Sequence, residues 1–497
     1  MLHHLLSLLA CSTAPAPPPT EAPPERSRPN IILISLDTTR ADAIGAWQDT
    51  NTWGLDIPEE LRPVPQTPAL DYIAQHGVRF RWAFSHAPTT LSSHTSAFSG
   101  RDPHHHRVVR NGYPVPSDIP LMQETFAEAG WGTRAVVASA VLAPDQGLSR
   151  GFESWIWPQS DEEDDTPVIQ RENAPPLAVA WRANTVTSRA LTTVDEHLAA
   201  GDGRPLMLFA HYYDPHTDWS DAPDQIRDAM TDPDYDGPVD GSMATISVLA
   251  EQVRNGTASI ADRRQARGLY LAEVVGADQQ VGRLMRGLAE RSLLDNAYVI
   301  VFSDHGEHLD DSIHTPYHHG AAVSQEVIHV PLLIAGFGEA QVPTGVVNLP
   351  VGLVDIAPTA CKLVGLSCGG GQGQDLARLW TDPAAQPLPI RFSEATKPIG
   401  SESKEKWNNL PFERSAWGVV NQRRLLLLLS PYQQQSQQLR LIENGAPAAP
   451  IDADSQAAAS TLLEAISRWD ADAPPFRAED MDEDTRAALI ALGYLEE

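Results

Sequence analysis

Basic residues are scarce in this chain. Its 497 residues include 36 Lys and Arg against 65 Asp and Glu, which gives a formal net charge of −29. Such a surface repels polyanions, and the longest basic cluster is only Arg423-Arg424, within an apolar run. The composition therefore argues against a nucleic-acid partner, and the acidity is expected mainly to keep the surface soluble.

Long hydrophobic runs are also missing. No stretch of about 18 consecutive apolar residues occurs, so no membrane span is predicted. Residues 1–11 end in Leu-Leu-Ala-Cys and resemble a bacterial lipoprotein signal, and the Pro-rich residues 12–28 are expected to form a stiff tether. This predicts an exported periplasmic or cell-envelope protein that touches the membrane only through a lipid on Cys11. Because the leader has histidines where Lys or Arg is usual, a disordered cytoplasmic leader is the alternative.

Cysteine is nearly absent beyond Cys11. The other two, Cys361 and Cys368, are close enough in sequence for a small disulfide, which an exported protein could keep. Two buried thiols would give the same sequence, so both states remain open. Neither cysteine is spaced from histidines as in a metal site, and a structural role is predicted.

Three apolar runs each deliver an acid at or near their ends. They cover residues 29–37, 205–214 and 297–305, and the acids are Asp37, Asp214 and Asp304. A buried parallel strand has this pattern and brings its carboxylate to the carboxyl edge of the sheet. Helical patterns such as 121–129 and 269–289 lie between the runs. The predicted fold class is therefore α/β, a large, mostly parallel sheet flanked by helices, with ligands at the strand ends.

The character of the sequence changes near residue 388. Residues 29–387 are predicted to form the catalytic domain, and residues 388–497 a smaller α+β subdomain with antiparallel strands and an Ala-rich helix from about Asp454 to Trp469. An acidic insertion at 220–262 interrupts the first domain. This insertion is interpreted either as a lid over the site or as a surface segment without a role at the site.

Motifs along most of the chain resemble the sulfatase family of the alkaline-phosphatase-like superfamily. In order they are PNIILISLDTTRAD, GRDPHHH, HYYDPHTDW, YLAEVVGADQQVGRL, SDHGE, HVPLLIAGFG, VDIAPTACKLVGL and the terminal ALGYLEE. One such motif would be weak evidence for the family, but this many motifs in the family's order are strong evidence for it. The resemblance implies the alkaline phosphatase/sulfatase fold and a metal-dependent hydrolase of sulfuric or phosphoric esters.

The family's formylglycine motif is missing. Sulfatases convert a Cys or Ser in C/S-x-P-x-R, ten positions before a glycine, whereas Thr90 stands ten positions before Gly100 here and begins Thr-Leu-Ser-Ser-His. Because threonine is not a known substrate for that conversion, no formylglycine is expected. Thr90 is then the predicted nucleophile, activated by a divalent metal, with Ser92 or Ser93 as lesser candidates. Alternatively, Thr90 merely caps a helix starting near Ser93.

The resemblance also implies a metal site. Asp37, Asp304 and His305 match the family's cation ligands and Thr90 completes the set, while Thr38 replaces the acid that often follows the first aspartate. Oxygen ligands suit calcium or magnesium, and the histidine also suits zinc or manganese.

Further histidines match positions around the family's substrate. His216 follows the D-P motif, and His319 lies where sulfatases carry a substrate-binding Lys or His; alternatively, both join Asp214 around a second metal. His94 takes the place of an arginine that positions the nucleophile in the family. It is expected to hydrogen-bond either Thr90 or the ester oxygens; alternatively, it only packs within its helix. The run 104–106 of three histidines coincides with a structural turn of the family.

The predicted function is hydrolysis of sulfate or phosphate esters, of a small molecule or glycan, through Thr90. An ester of Thr90 must be broken by a second in-line attack, which is ordinary for phosphoryl groups, so a phosphodiesterase or phosphoryl transferase of the same superfamily is the alternative. A non-catalytic, glycan-binding envelope protein is the second alternative. Asp37, Asp304 and His305 argue against it, because clustered carboxylates repel each other without a cation.

Overall fold

The computed structural model describes residues 28–50, 64, 66–159, 168–171, 174–178, 180–216, 218–382, 385–395, 413–429, 437–442 and 453–472. The predicted signal (1–11, with Cys11) and all of the predicted tether except Arg28 lie outside these residues. Within them, no helix has the length and apolar character needed to cross a membrane.

The described strands and α-helices are interleaved along the first part of the chain. The strands are β1 (Asn30–Leu36), β2 (Gly77–Phe80), β3 (Ala83–Phe84), β4 (Gly132–Val137), β5 (Ser154–Ile156), β6 (Val168–Arg171), β7 (Ala174–Ala178), β8 (Leu206–Tyr212), β9 (Asn296–Phe302), β10 (His329–Val330), β11 (Leu332–Gly338), β12 (Gly345–Val347), β13 (Val351–Gly352), β14 (Arg391–Glu394), β15 (Arg414–Val420), β16 (Arg423–Leu429) and β17 (Gln437–Leu441). The helices are α1 (Pro68–Gln75), α2 (Thr90–Ser99), α3 (Pro103–His106), α4 (Met122–Glu128), α5 (Ala183–Ala199), α6 (Asp224–Met230), α7 (Met243–Arg254), α8 (Ile260–Glu290), α9 (Gln325–Ile328), α10 (Ile356–Leu363), α11 (Ala377–Thr381) and α12 (Ala453–Ala471).

The main sheet has eight strands in the order β12-β2-β11-β9-β1-β8-β4-β5. Strand β1 is parallel to both β8 and β9, and β4 is parallel to β8 and β5, whereas β11 is antiparallel to its neighbours β9 and β2. Of these eight strands only β11 runs the other way, which confirms the prediction of a mostly parallel sheet.

Strand β1 shows why the apolar runs become central strands. Ile32 and Ile34 pack into one hydrophobic core, while Ile31 and Leu33 pack into a second core on the opposite face. Because helices cover both faces, every position of such a strand favours an apolar side chain. The first polar residue then falls at the carboxyl end of the strand, where the chain leaves the sheet.

The C-terminal part forms the predicted α+β subdomain. Strands β14 to β17 make an antiparallel sheet, and α12 packs on it through Ala458, Leu462 and Ile466. The sheet is attached to the larger part of the chain by Trp417, whose ring lies 4.8 Å from that of Phe84. The exact boundaries 29–387 and 388–497 stay predictions.

The predicted insertion at 220–262 contains α6 and α7 and reaches the start of α8. Its first residues are held against α8, because Glu273 accepts hydrogen bonds from the backbone N–H groups of Asp221 (2.8 Å) and Ala222 (2.6 Å). Apolar contacts of Ile226 with α8 continue the packing. These contacts explain how the insertion begins, and a lid function stays a prediction.

A disulfide joins Cys361 at the end of α10 to Cys368, with the two Cα atoms 5.8 Å apart. The sequence left open either a disulfide or two buried thiols, and the structure has the disulfide. The short loop that it closes lies beside the second hydrophobic core, where Cys361 is fully buried.

Candidate active site

The turn after β1 carries the first site residues. Asp37 follows the strand directly, and Thr38 has a φ of +49°, a left-handed conformation that is strained for a β-branched residue. The strain is held by hydrogen bonds: Tyr270 Oη donates to Thr38 O (2.9 Å), and Thr38 N–H donates to Asp304 Oδ1 (3.3 Å). The strained turn therefore ties the end of β1 to the loop after β9.

Asp37, Asp304 and His305 meet at this edge of the sheet, with one potential ligand atom from each all within 4.8 Å of one another. His305 Nε2 lies 3.4 Å from Asp304 Oδ2 and 3.9 Å from Asp37 Oδ1. All three residues are fully buried. Gly306 makes room for the loop, since a Cβ there would lie 2.5 Å from Glu326 O.

The three inward-facing atoms fit a cation. Asp37 Oδ1, Asp304 Oδ2 and His305 Nε2 have no hydrogen-bond partner among the described residues. Burial raises the pKa of Asp37 and of Asp304, because two carboxylates out of water lack compensation for their charge. Burial lowers the pKa of His305, but the neighbouring Asp304 and Asp37 carboxylates, together with the Gly306 carbonyl and Glu307, raise it by more. A divalent cation would satisfy all three atoms, so the donor set is a candidate metal site at the predicted position.

Thr90 lies beside this cluster as the first residue of α2. Its Oγ1 donates to Asp37 Oδ2 over 3.5 Å, and the residue is fully buried. The helix starts at Thr90 with Thr89 as the N-cap residue, so the expectation of a helix starting near Ser93 is wrong. The helix begins three residues earlier because Ser93 N–H already bonds Thr89 O (3.0 Å).

The two lesser candidates for the nucleophile are engaged with backbone carbonyls. Ser92 Oγ donates to Val108 O (2.5 Å), and Ser93 Oγ donates to Asp304 O (2.6 Å). Of the hydroxyls of Thr90, Ser92 and Ser93, that of Thr90 is the one directed at a carboxylate of the cluster. This geometry favours Thr90, whose role as nucleophile stays a prediction.

His94 supports the backbone of Thr90. Its Nδ1 lies 2.8 Å from Thr90 O, a carbonyl that can only accept, so Nδ1 carries a proton. Its Nε2 lies 2.8 Å from Ser35 Oγ, and burial lowers the pKa of His94 to about 4. His94 is therefore a neutral, buried ring at the position where the resemblance implies an arginine, and it bonds the carbonyl of Thr90, not the hydroxyl.

His216 and His319 lie together beside His305. The His319 ring centroid is 4.6 Å from that of His305 and 4.8 Å from that of His216. Its Nδ1 is 2.9 Å from Glu307 Oε2, and burial raises the pKa of Glu307 to about 7. The structure thus brings both predicted histidines next to the candidate metal site.

Asp214 is separate from that group. Its Oδ1 accepts from Ala183 N–H (2.9 Å) at the start of α5, and burial raises its pKa to about 6. Among the described residues, the close groups of three potential ligands do not include Asp214. The second metal with Asp214, His216 and His319 remains a prediction without a cluster to support it.

The histidine run at 104–106 makes structural contacts. His105 Nδ1 bonds Asp102 Oδ1 (2.6 Å) and His106 Nε2 bonds Ser96 Oγ (2.9 Å). His104 lies near Glu394 and Asp470, but Arg414 bridges these two acids and provides the positive charge a metal would supply.

Four residues that line or support the site were not among the predicted ones: Ser35, Asn111, His211 and Glu307. Asn111 Oδ1 accepts from Leu91 N–H (2.8 Å) at the start of α2, and its buried Nδ2 has no hydrogen-bond partner among the described residues. His211 Nε2 lies 3.2 Å from Asp37 Oδ2. A histidine within the apolar strand β8 was the available signal for His211, whereas the sequence near Asn111 carried none.

Comparison with known proteins places the chain in a family. The model of the family named Sulfatase matches residues 29–366. The chain belongs to the sulfatase family. An ulvan-active sulfatase of Formosa agariphila is 25% identical over 72% of this chain and 66% of its own length, so the matched part spans about two thirds of that relative.

Solved structures agree with the fold. A protein in complex with its substrate D-glucosamine-2-N,6-O-disulfate has a TM-score of 0.63 at 16% identity, covering 90% of this chain and 99% of its own. The phosphonate monoester hydrolase of Agrobacterium radiobacter has a TM-score of 0.63 at 19% identity, covering 90% of this chain and 96% of its own. At these identities the likeness establishes the sulfatase-like fold, with its large sheet and small C-terminal subdomain.

Proposed function

We propose that this sulfatase-family chain is a metal-dependent hydrolase of sulfate or phosphate esters with Thr90 as its nucleophile. The observation that carries the proposal is the position of Thr90 Oγ1, 3.5 Å from Asp37 Oδ2 at the rim of the unpartnered ligand atoms. Asp37, Asp304, His305 and Thr90 would hold the cation. When bound, a divalent cation would stabilise negative charge on the attacking and non-bridging oxygens.

The side chains account for the remaining chemistry. Thr90 Oγ1 loses its proton to Asp37 Oδ2 and bonds to sulfur or phosphorus, while the bond to the leaving oxygen breaks. His216 gives a proton to that oxygen, because burial and the neighbouring His305 hold the pKa of His319 too low for that ring to carry a spare proton. Water then attacks the same centre in line and gives a proton to the histidine that lost one, while the bond to Thr90 breaks and Thr90 takes its proton back from Asp37. The amides at the start of α2 favour the anionic group held there.

The substrate class follows from this two-step route. The names of the relatives, an ulvan-active sulfatase and a protein that binds a disulfated glucosamine, support a glycan sulfate ester. A threonine ester lacks the easy breakdown available to formylglycine, which supports phosphate esters or phosphodiesters. An acceptor hydroxyl in place of water would make the same site a phosphoryl transferase.

A substrate panel separates these possibilities. Purified protein should be assayed with 4-nitrophenyl sulfate, 4-nitrophenyl phosphate and bis(4-nitrophenyl) phosphate in the presence of Ca²⁺, Mg²⁺, Mn²⁺ or Zn²⁺. We expect turnover of at least one ester that requires the cation and disappears with a chelator. If no ester turns over with any cation while a sulfated glycan binds, the non-catalytic glycan-binding function replaces the hydrolase.

We also propose that the protein is exported and anchored by a lipid on Cys11. The leader that ends in Leu-Leu-Ala-Cys and the Pro-rich segment after it support this location. Labelled fatty acid should attach to the wild-type chain, which should partition into detergent. Cys11→Ala should lose both properties; a variant that stays with the membrane fraction as firmly as the wild type would contradict the lipid anchor.

A further inference from the structure

His211 contacts the candidate metal site from the neighbouring strand. It is the second-last residue of β8, and its Nε2 lies 3.2 Å from Asp37 Oδ2. The backbone N–H of Ala138 points at the other ring nitrogen, Nδ1, with the two nitrogens 3.3 Å apart. A backbone N–H can only donate, so Nδ1 accepts and the ring proton sits on Nε2. His211 therefore donates its Nε2–H to Asp37.

The ring has no freedom to turn away. His211 is fully buried, and it meets the His94 ring edge to face, with centroids 5.1 Å apart. His94 is held in turn by Thr90 O and Ser35 Oγ. Ser35 and His211 are also register partners of the parallel strands β1 and β8, so the backbone fixes their spacing.

This contact decides which oxygen of Asp37 faces the cluster. Oδ2 accepts from both His211 Nε2–H and Thr90 Oγ1–H, whereas Oδ1 has no hydrogen-bond partner among the described residues. A carboxylate pinned by one oxygen presents the other in a single orientation. Without His211, rotation about the last bond of Asp37 would exchange the two oxygens.

We propose that His211 is a positioning residue that aims Asp37 Oδ1 at the cation and holds Oδ2 for the Thr90 hydroxyl. The proposal rests on the proposed function, since it assumes that Asp37 is a metal ligand. Hydrogen-bond partners of ligating groups typically contribute 10- to 100-fold to metal affinity. His211 is expected to contribute in this way although it touches neither cation nor substrate.

The test measures cation binding directly. Mn²⁺ affinity should be determined by calorimetry on metal-free wild type, His211→Leu and His211→Gln, with no substrate present. We expect His211→Leu to weaken binding by about 10- to 100-fold. Gln can place its amide nitrogen near the position of Nε2 and donate to Asp37, so His211→Gln should recover most of the affinity. Saturating Mn²⁺ should also restore much of the kcat that His211→Leu loses at low Mn²⁺.

His106 offers a matched control. It is fully buried, its Nδ1 accepts from Val108 N–H (3.0 Å) and its Nε2 bonds Ser96 Oγ (2.9 Å). Both of its ring nitrogens are thus engaged as in His211, but Nε2 bonds a hydroxyl and not a carboxylate of the cluster. His106→Leu should lower the melting temperature and leave Mn²⁺ affinity unchanged. Equal Mn²⁺ affinity in His211→Leu and wild type, or no recovery in His211→Gln, would overturn the positioning role while leaving ester hydrolysis intact. A wild-type chain that binds no divalent cation would overturn both proposals.

Discussion

Thr90→Ala should lower kcat by at least about three powers of ten, the scale seen when a nucleophile is removed. The loss should fall on the chemical step. The variant keeps the charged and imidazole ligands Asp37, Asp304 and His305 and loses only the neutral Thr90 oxygen, so its cation affinity should fall far less than its kcat. The measurement is single-turnover kinetics on the best substrate found, alongside metal analysis of the same preparation.

Three companion variants make the result specific. Thr90→Ser keeps the attacking oxygen and loses only a methyl group, so it should retain much of the rate. Thr95→Ala makes the same change five residues further along α2, where the hydroxyl bonds Leu91 O (2.7 Å), and should retain near-wild-type kcat. Ser92→Ala should do likewise. Near-native turnover by Thr90→Ala would mean that water, and not Thr90, attacks the substrate.

Asp304→Asn should strongly weaken cation binding with little damage to the fold. The amide oxygen can still accept from Thr38 N–H and His305 N–H, as Asp304 Oδ1 does now (3.3 and 2.8 Å), but the second oxygen that faces the cluster is replaced by NH₂. One anionic ligand of the site is thereby lost. We expect at least about 100-fold weaker cation affinity and a matching loss of activity at limiting metal.

Thermal unfolding gives a second readout for Asp304→Asn. In chelator, the variant should be at least as stable as the wild type, because it removes the repulsion between two buried carboxylates. Added cation at 100 times its Kd should stabilise the wild type by about 2.7 kcal/mol and the variant hardly at all. Asp278→Asn, a buried carboxylate that caps α1 through Ala69 and Leu70, is the matched control and should keep the cation response. A full cation response in Asp304→Asn would remove Asp304 from the site.

The sequence alone determined the sheet and the acids at its edge. Strands buried on both faces favour continuous apolar runs, so β1, β8 and β9 were predicted within one or two residues, together with Asp37 and Asp304 beside their ends. The spacing to Gly100 selected Thr90, and Gly100 does end α2 in a left-handed conformation (φ +68°). These features are local in the chain, or they repeat a pattern shared across the family, and both kinds of information are present in the order of residues.

Only the tertiary structure decided how the side chains meet. The partners of Asp37 lie 53 and 174 residues away, at Thr90 and His211. The family resemblance placed Thr90 at the same metal site but did not indicate its hydrogen bond to Asp37, and His211 was not predicted. His94 was predicted beside the nucleophile, but its contact with the carbonyl of Thr90 depends on a helix that starts earlier than expected. Asp214 ends an apolar run as Asp37 does, yet it caps α5 and stays outside the cluster. An acid after a strand is a local feature, whereas the direction of its carboxylate depends on hydrogen-bond donors that packing brings from distant parts of the chain.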